Sequence, residues 1–224
     1  MWVVAMAGIP TGVIVGGLGS RLAMLLLRLT SPSSVRGVIS DDGFEIGRVT
    51  LGGTYNLLVL GAAVGVIGAV AYLAVRPWLL GPGWFRRVTV AAASGAVVGS
   101  MLIHDDGIDF HVLKPLWLAI GLFVALPALF GASIAVAVDR VDAVPEPVGW
   151  RPWVRPLVLV AVVPLVLPVL AVAAVLTGAG GLFRRGVDRV GGVPAGATLV
   201  VRCAWLVIAV LGVVALAADI RSLT

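Results

Sequence analysis

Residues 51–75 read LGGTYNLLVLGAAVGVIGAVAYLAV, without one charged side chain in the run. At 1.5 Å per residue, a helix of that length exceeds the ~30 Å hydrocarbon thickness of a bilayer. An open strand in lipid leaves its edge amides unsatisfied, and nothing in this stretch alternates as a barrel strand does. The stretch reads as a membrane-spanning helix.

Working outward, the same reading applies to 2–18 with an amphipathic extension to 29, to 84–103, 116–138, 157–176 and 197–218. The expected fold class is therefore all-α: a polytopic integral membrane helix bundle of about six transmembrane helices. The whole chain agrees, with 60% hydrophobic and 12% charged residues in 224 and a mean hydropathy of +1.13. A soluble domain carries near ~25% charge. The start, Met1-Trp2-Val3-Val4, has no basic n-region, so it reads as the first membrane helix and not as a signal peptide. Three regions are expected: a four-helix membrane core over 1–138, a Pro/Trp/Arg-rich interfacial connection over 139–156, and two further membrane helices over 157–224.

The balance of 16 basic and 11 acidic residues gives a formal +5, and Lys114 is the single lysine. The arginines stand in short loops beside apolar runs, where they meet lipid phosphates and set orientation. Nucleic acid is therefore not an expected partner; the lipid bilayer is, together with a second copy of the chain or a membrane partner protein. The single cysteine, Cys203, excludes an intrachain disulfide and a cysteine metal cluster. Pro127, Pro164 and Pro168 fall within expected spans and should kink them.

With six spans, the connections alternate between two faces. The first face takes the N-terminus, 76–87, 139–156 and the C-terminus, and it holds Trp2, Trp78, Trp84, Trp150 and Trp153. Arg-Pro-Trp occurs there twice, at 76–78 and 151–153, as interfacial anchors do. The second face takes 28–50, 104–115 and 177–196. Basic residues divide evenly, but Arg21 and Arg202 just inside spans favour the second face as cytoplasmic, in a bacterial inner membrane.

Two of the second-face loops resemble each other. Asp41-Asp42-Gly43-Phe44-Glu45-Ile46 and Asp105-Asp106-Gly107-Ile108-Asp109-Phe110 share Asp-Asp-Gly, apolar, acid, apolar. The first four helices thus read as two copies of a helix–acidic loop–helix hairpin, related by an axis along the membrane normal. Glycine spacing supports four close-packed helices: Gly8, Gly12, Gly16 and Ser20 on the first, Gly61, Gly65 and Ala69 on the second. Small residues at i, i+4 let helix backbones approach.

The expected polar site comprises Arg21, Asp41, Asp42, Glu45, Arg48, Asp105, Asp106, Asp109, Arg184, Arg185 and Arg202. An arginine inside a span faces a partner or water, so contacts from Arg21 and Arg202 to the acidic loops are expected. His104, Asp105, Asp109 and His111 have the donor types for Zn²⁺, Mn²⁺ or Fe²⁺. Their spacing fits no zincin or EF-hand pattern, so a divalent metal is the lesser reading and a solvated acidic turn the plainer one. No other cofactor is indicated. Phosphate loops, nucleophile elbows and helix-borne histidine pairs are missing from the sequence. Three functions remain: a small transporter or channel-like protein, a non-catalytic subunit of a membrane complex, or a membrane-embedded enzyme using 104–111.

Overall fold

The computed structural model describes residues 2–32, 37, 50–103, 110, 112–144 and 195–223, with no strand among them. These residues form five long helices. We label them α1 (Val4–Thr30), α2 (Leu51–Val75, prolonged by a 3₁₀ turn at Arg76–Trp78), α3 (Gly83–Leu102), α4 (Leu116–Asp142) and α5 (Ala195–Leu223). Val4–Thr30, Leu51–Trp78, Leu116–Asp142 and Arg202–Leu223 are long and apolar enough to cross a membrane, as an integral membrane protein requires. α3 is not among these four; it carries Arg86, Arg87, Thr89, Ser94 and Ser100 in 20 residues. The expected helix at 157–176 lies outside the described residues.

Local chemistry sets the helix ends. Thr50 is extended, and its hydroxyl accepts from Gly53 N–H at 3.1 Å, capping α2. α3 and α4 each start after a proline, Pro82 and Pro115, which has no N–H to leave unsatisfied. α4 runs through Pro127 as one helix. Pro10 has the larger effect. It sits between two π-helical stretches of α1, Val4–Gly8 and Gly12–Leu18. Its missing N–H breaks the regular ladder, and wider winding on either side re-satisfies the freed backbone groups.

α1 and α2 pack antiparallel, glycine on glycine. A Cβ at Gly12 would collide with the Gly61 carbonyl oxygen, and one at Gly65 with that of Gly8. The four-residue stripe read from the sequence holds from Gly8 to Gly12 and then shifts. Gly17, not Gly16, is the next buried glycine, set against Leu58. The shift to a five-residue step follows from the i→i+5 winding of Gly12–Leu18. α3 and α4 form a second antiparallel pair, with Gly95 against Ala128 and Val124, and Gly131 against Ser94. Phe130 and Ile134 of α4 pack on Gly68 and so join the two pairs.

Two buried clusters mark the ends of the bundle. Val4, Ala7, Ala69, Tyr72, Val90 and Val138 meet at one, the Tyr72 end. Leu27, Ile103, Phe110, Leu113 and Ala119 meet at the other, the Phe110 end. α5 runs parallel to α3. Its Arg202 Nε donates to the Trp78 carbonyl at 3.3 Å at the Tyr72 end, Gly212 lies on Val97, and Leu223 packs at the Phe110 end. This reverses the direction expected for the last helix. Asp142 and Arg202 lie at the same end, so the alternation that placed residues 219–223 on the first face does not hold. Hydropathy locates a helix but carries no sign for its direction.

Candidate functional site

At the Phe110 end the structure brings together the flanks of both acidic loops. Ser31 Oγ donates to the Lys114 carbonyl at 3.1 Å, and Lys114 N–H donates to Ser31 Oγ at 2.9 Å. The segment leaving α1 is thus held to the segment entering α4. Leu27, Ile103, Phe110 and Leu113 bury one another beneath this link, and Phe110 meets Phe123 edge-on with ring centroids 5.0 Å apart. Of the loops' charged residues, Asp41, Asp42, Glu45, Arg48, Asp105, Asp106 and Asp109 lie outside the described residues. So do Arg184 and Arg185, and His104 and His111 of the metal reading. Among the described residues no three His, Cys, Asp or Glu side chains converge.

Of the expected polar residues, Arg21 and Arg202 are described, and they stand at opposite ends. Arg21 belongs to the Phe110 end. Its Nη2 lies against Gly53, so close that a Cβ there would come within 2.8 Å, beside the Thr50 cap. Its Nε is buried without a hydrogen-bond partner, and no carboxylate among the described residues pairs with it. The N-terminus of α2 adds positive potential at the same place. Two positive features thus share one spot and call for an anionic or aqueous counterpart. Arg202 differs from expectation, since it reaches the backbone of the 3₁₀ turn instead of an acidic loop.

The described carboxylate network sits at the Tyr72 end, where the sequence pointed to no site. Tyr72 is 2% exposed, and its hydroxyl donates to Asp139 Oδ1 at 3.0 Å. Arg76 spans both acids of α4, with Nε 3.5 Å from Asp139 Oδ1 and Nη1 2.6 Å from Asp142 Oδ2. Arg87 of α3 approaches Asp139 Oδ2 at 3.6 Å. One carboxylate therefore ties three helices. The sequence signal was present but local to each helix. Tyr72 and Arg76 are one turn apart on α2, and Asp139 and Asp142 three residues apart on α4, so each pair shares a face.

No protein family, characterised protein or solved structure matches this chain. Its sites rest on geometry alone. The network's arrangement is that of a clasp closing helix ends. Asp139 is 14% exposed and the Arg76 side chain 30%, so its strength lies between surface and buried ion pairs. Asp139→Ala should lower stability by about 1–2 kcal/mol, because it strands Arg87 and a buried hydroxyl and leaves Arg76 with Asp142 alone. Asp139→Asn should cost less, since its amide oxygen still accepts from Tyr72. Thermal unfolding of the two variants in detergent measures the difference, and equal losses would remove Tyr72 from the clasp.

Proposed function

We propose that the protein is a small transporter or channel-like protein whose polar site lies at the Phe110 end. The site is formed by the 28–50 and 104–115 loops around Arg21, and one observation carries the reading. Arg21 sits within a helix long and apolar enough to cross a membrane, packs on the start of α2, and has a buried Nε with no partner. An arginine in a span costs ~2.5–3.5 kcal/mol on insertion scales and is retained where it meets water, a partner or a substrate. The Ser31–Lys114 link supports placing the two Asp-Asp-Gly loops beside it as one acidic mouth, in the manner of a hairpin repeat. The 177–196 loop is left out of this site because α5 begins at the opposite end. We place the protein in a bacterial inner membrane; with Arg202 beside Arg76, Arg86 and Arg87 at the Tyr72 end, the basic residues no longer favour the Phe110 end as its cytoplasmic side.

The test is flux. Proteoliposomes should pass at least one of a panel of inorganic cations, inorganic anions and small organic acids faster than protein-free vesicles. Arg21→Gln should reduce that flux roughly tenfold, the loss of one charge-assisted contact. Vesicles as tight as the protein-free control across the whole panel would sink the reading. One observation favours the second reading, a subunit of a membrane assembly or homo-oligomer. Leu206, Val207, Val210, Leu211, Val213 and Val214 leave most of α5 exposed. A partner co-purifying at fixed stoichiometry, together with tight vesicles, would establish that alternative.

A further inference from the structure

We propose that the arginine cluster at the Tyr72 end binds the phosphate of an anionic phospholipid headgroup, with Arg86 as the principal ligand. Charge is the first argument. Among the described residues, Arg76, Arg86, Arg87, Arg140 and Arg202 stand at this end against Asp139 and Asp142, so positive charge is in excess. The ion pairs described use Arg76 and Arg87; Arg86 forms none among the described residues. It stands next to Arg87 at the start of α3, with its Nη2 near Gly83.

Hydrogen-bonding capacity is the second argument. Arg86 Nε and Arg87 Nε are both buried from solvent without a hydrogen-bond partner. A guanidinium N–H donor left unsatisfied calls for an acceptor, which a phosphate oxygen supplies.

Position is the third argument, and it selects a lipid over a free anion. Trp84, Phe85 and Leu80 are 65%, 44% and 51% exposed immediately beside the arginines, and Trp84 meets Phe85 edge-on at 5.7 Å. Exposed aromatics next to arginine at a helix start lie at headgroup depth, where acyl chains cover them. A site for free phosphate would gain nothing from such neighbours. The clasp on Asp139 holds Arg76 and Arg87, which leaves Arg86 as the arginine of the α3 start with no carboxylate among the described residues.

The test uses the whole purified protein in a neutral detergent, titrated with phosphatidylglycerol, phosphatidylcholine or inorganic phosphate while thermal stability is followed. Phosphatidylglycerol should raise the melting temperature saturably. Arg86→Gln should weaken its apparent affinity about fivefold, the effect of one interfacial basic residue. Arg28→Gln, at the opposite end, should leave that affinity unchanged and controls for net charge. Three outcomes would each overturn the proposal: equal stabilisation by phosphatidylcholine, full reproduction by inorganic phosphate, or an equal loss in Arg28→Gln. Arg86 makes no described ion pair, so Arg86→Gln should fold with its melting temperature in lipid-free detergent unchanged. A fall there would assign Arg86 to the clasp and reject it as the lipid ligand.

Discussion

Gly12→Ala should destabilise the protein by about 3 kcal/mol or more, the upper part of the range for overpacking. The new methyl would point straight at the Gly61 carbonyl oxygen, and a Cα of Gly65 stands 2.8 Å from the same Cβ position. Backbone cannot turn aside as a flexible side chain can, so α1 and α2 have to separate. Their close approach is the main attraction between them, because lipid is as apolar as the side chains and supplies no hydrophobic force between helices. Separation therefore forfeits dispersion along the whole seam, from Gly8 against Gly65 to Gly17 against Leu58. Gly16→Ala should cost much less, since its Cβ would sit 3.3 Å from a single Gly61 Cα. Gly121 has nothing within 4 Å, so Gly121→Ala should gain about 0.5–1 kcal/mol from helix propensity. The order of melting temperatures in detergent, Gly121→Ala above wild type and Gly12→Ala far below Gly16→Ala, is the measurement. Equal tolerance at Gly12 and Gly16 would remove both the glycine seam and the π-helical shift of its step.

A cysteine at position 222 should react from the side of the membrane opposite to one at position 80. Leu80 lies in the α2–α3 turn at the Tyr72 end, and Ser222 in the last turn of α5 at the Phe110 end. In a Cys203→Ala background, Leu80→Cys and Ser222→Cys should therefore label with an impermeant thiol reagent from opposite sides. Gly52→Cys, exposed with nothing within 4 Å, should label together with Ser222→Cys. The effect is all-or-none, because a charged reagent does not cross the bilayer. Labelling of 80 and 222 from one side would restore the six-span alternation, reverse α5, and break the Arg202–Trp78 contact.

Much of the fold is legible in the amino-acid sequence, and particular residues show why. The run 51–75 coincides with α2, and 84–103 and 116–138 coincide with α3 and most of α4. Hydropathy is a property of consecutive residues, so spans can be read from neighbours along the chain. The glycine seam is legible for the same reason, as far as one regular helical period extends. It fails at Gly16 because Pro10 and the π winding change the period, and that change depends on how the backbone bonds re-form around a missing N–H. The site is legible only in part. An arginine inside a span is visible as an anomaly, which marks Arg21. Asp139 and Asp142 close an expected helix and look like ordinary interfacial charges. Their importance comes from Tyr72 and Arg76, more than sixty residues earlier, which no local pattern connects to them.

By itself, then, the sequence determined the all-helical class of this protein, the places of its described helices, and the small-residue edges by which they attract one another, since all three follow from near neighbours and a fixed rise per residue. The tertiary structure alone decided the direction of α5, the step from Gly12 to Gly17, the separation of Arg21 from Arg202, and the gathering of Tyr72, Arg76 and Arg87 on Asp139. Each of those depends on which helix end meets which, and that is settled by packing across the bundle and leaves no trace in local composition.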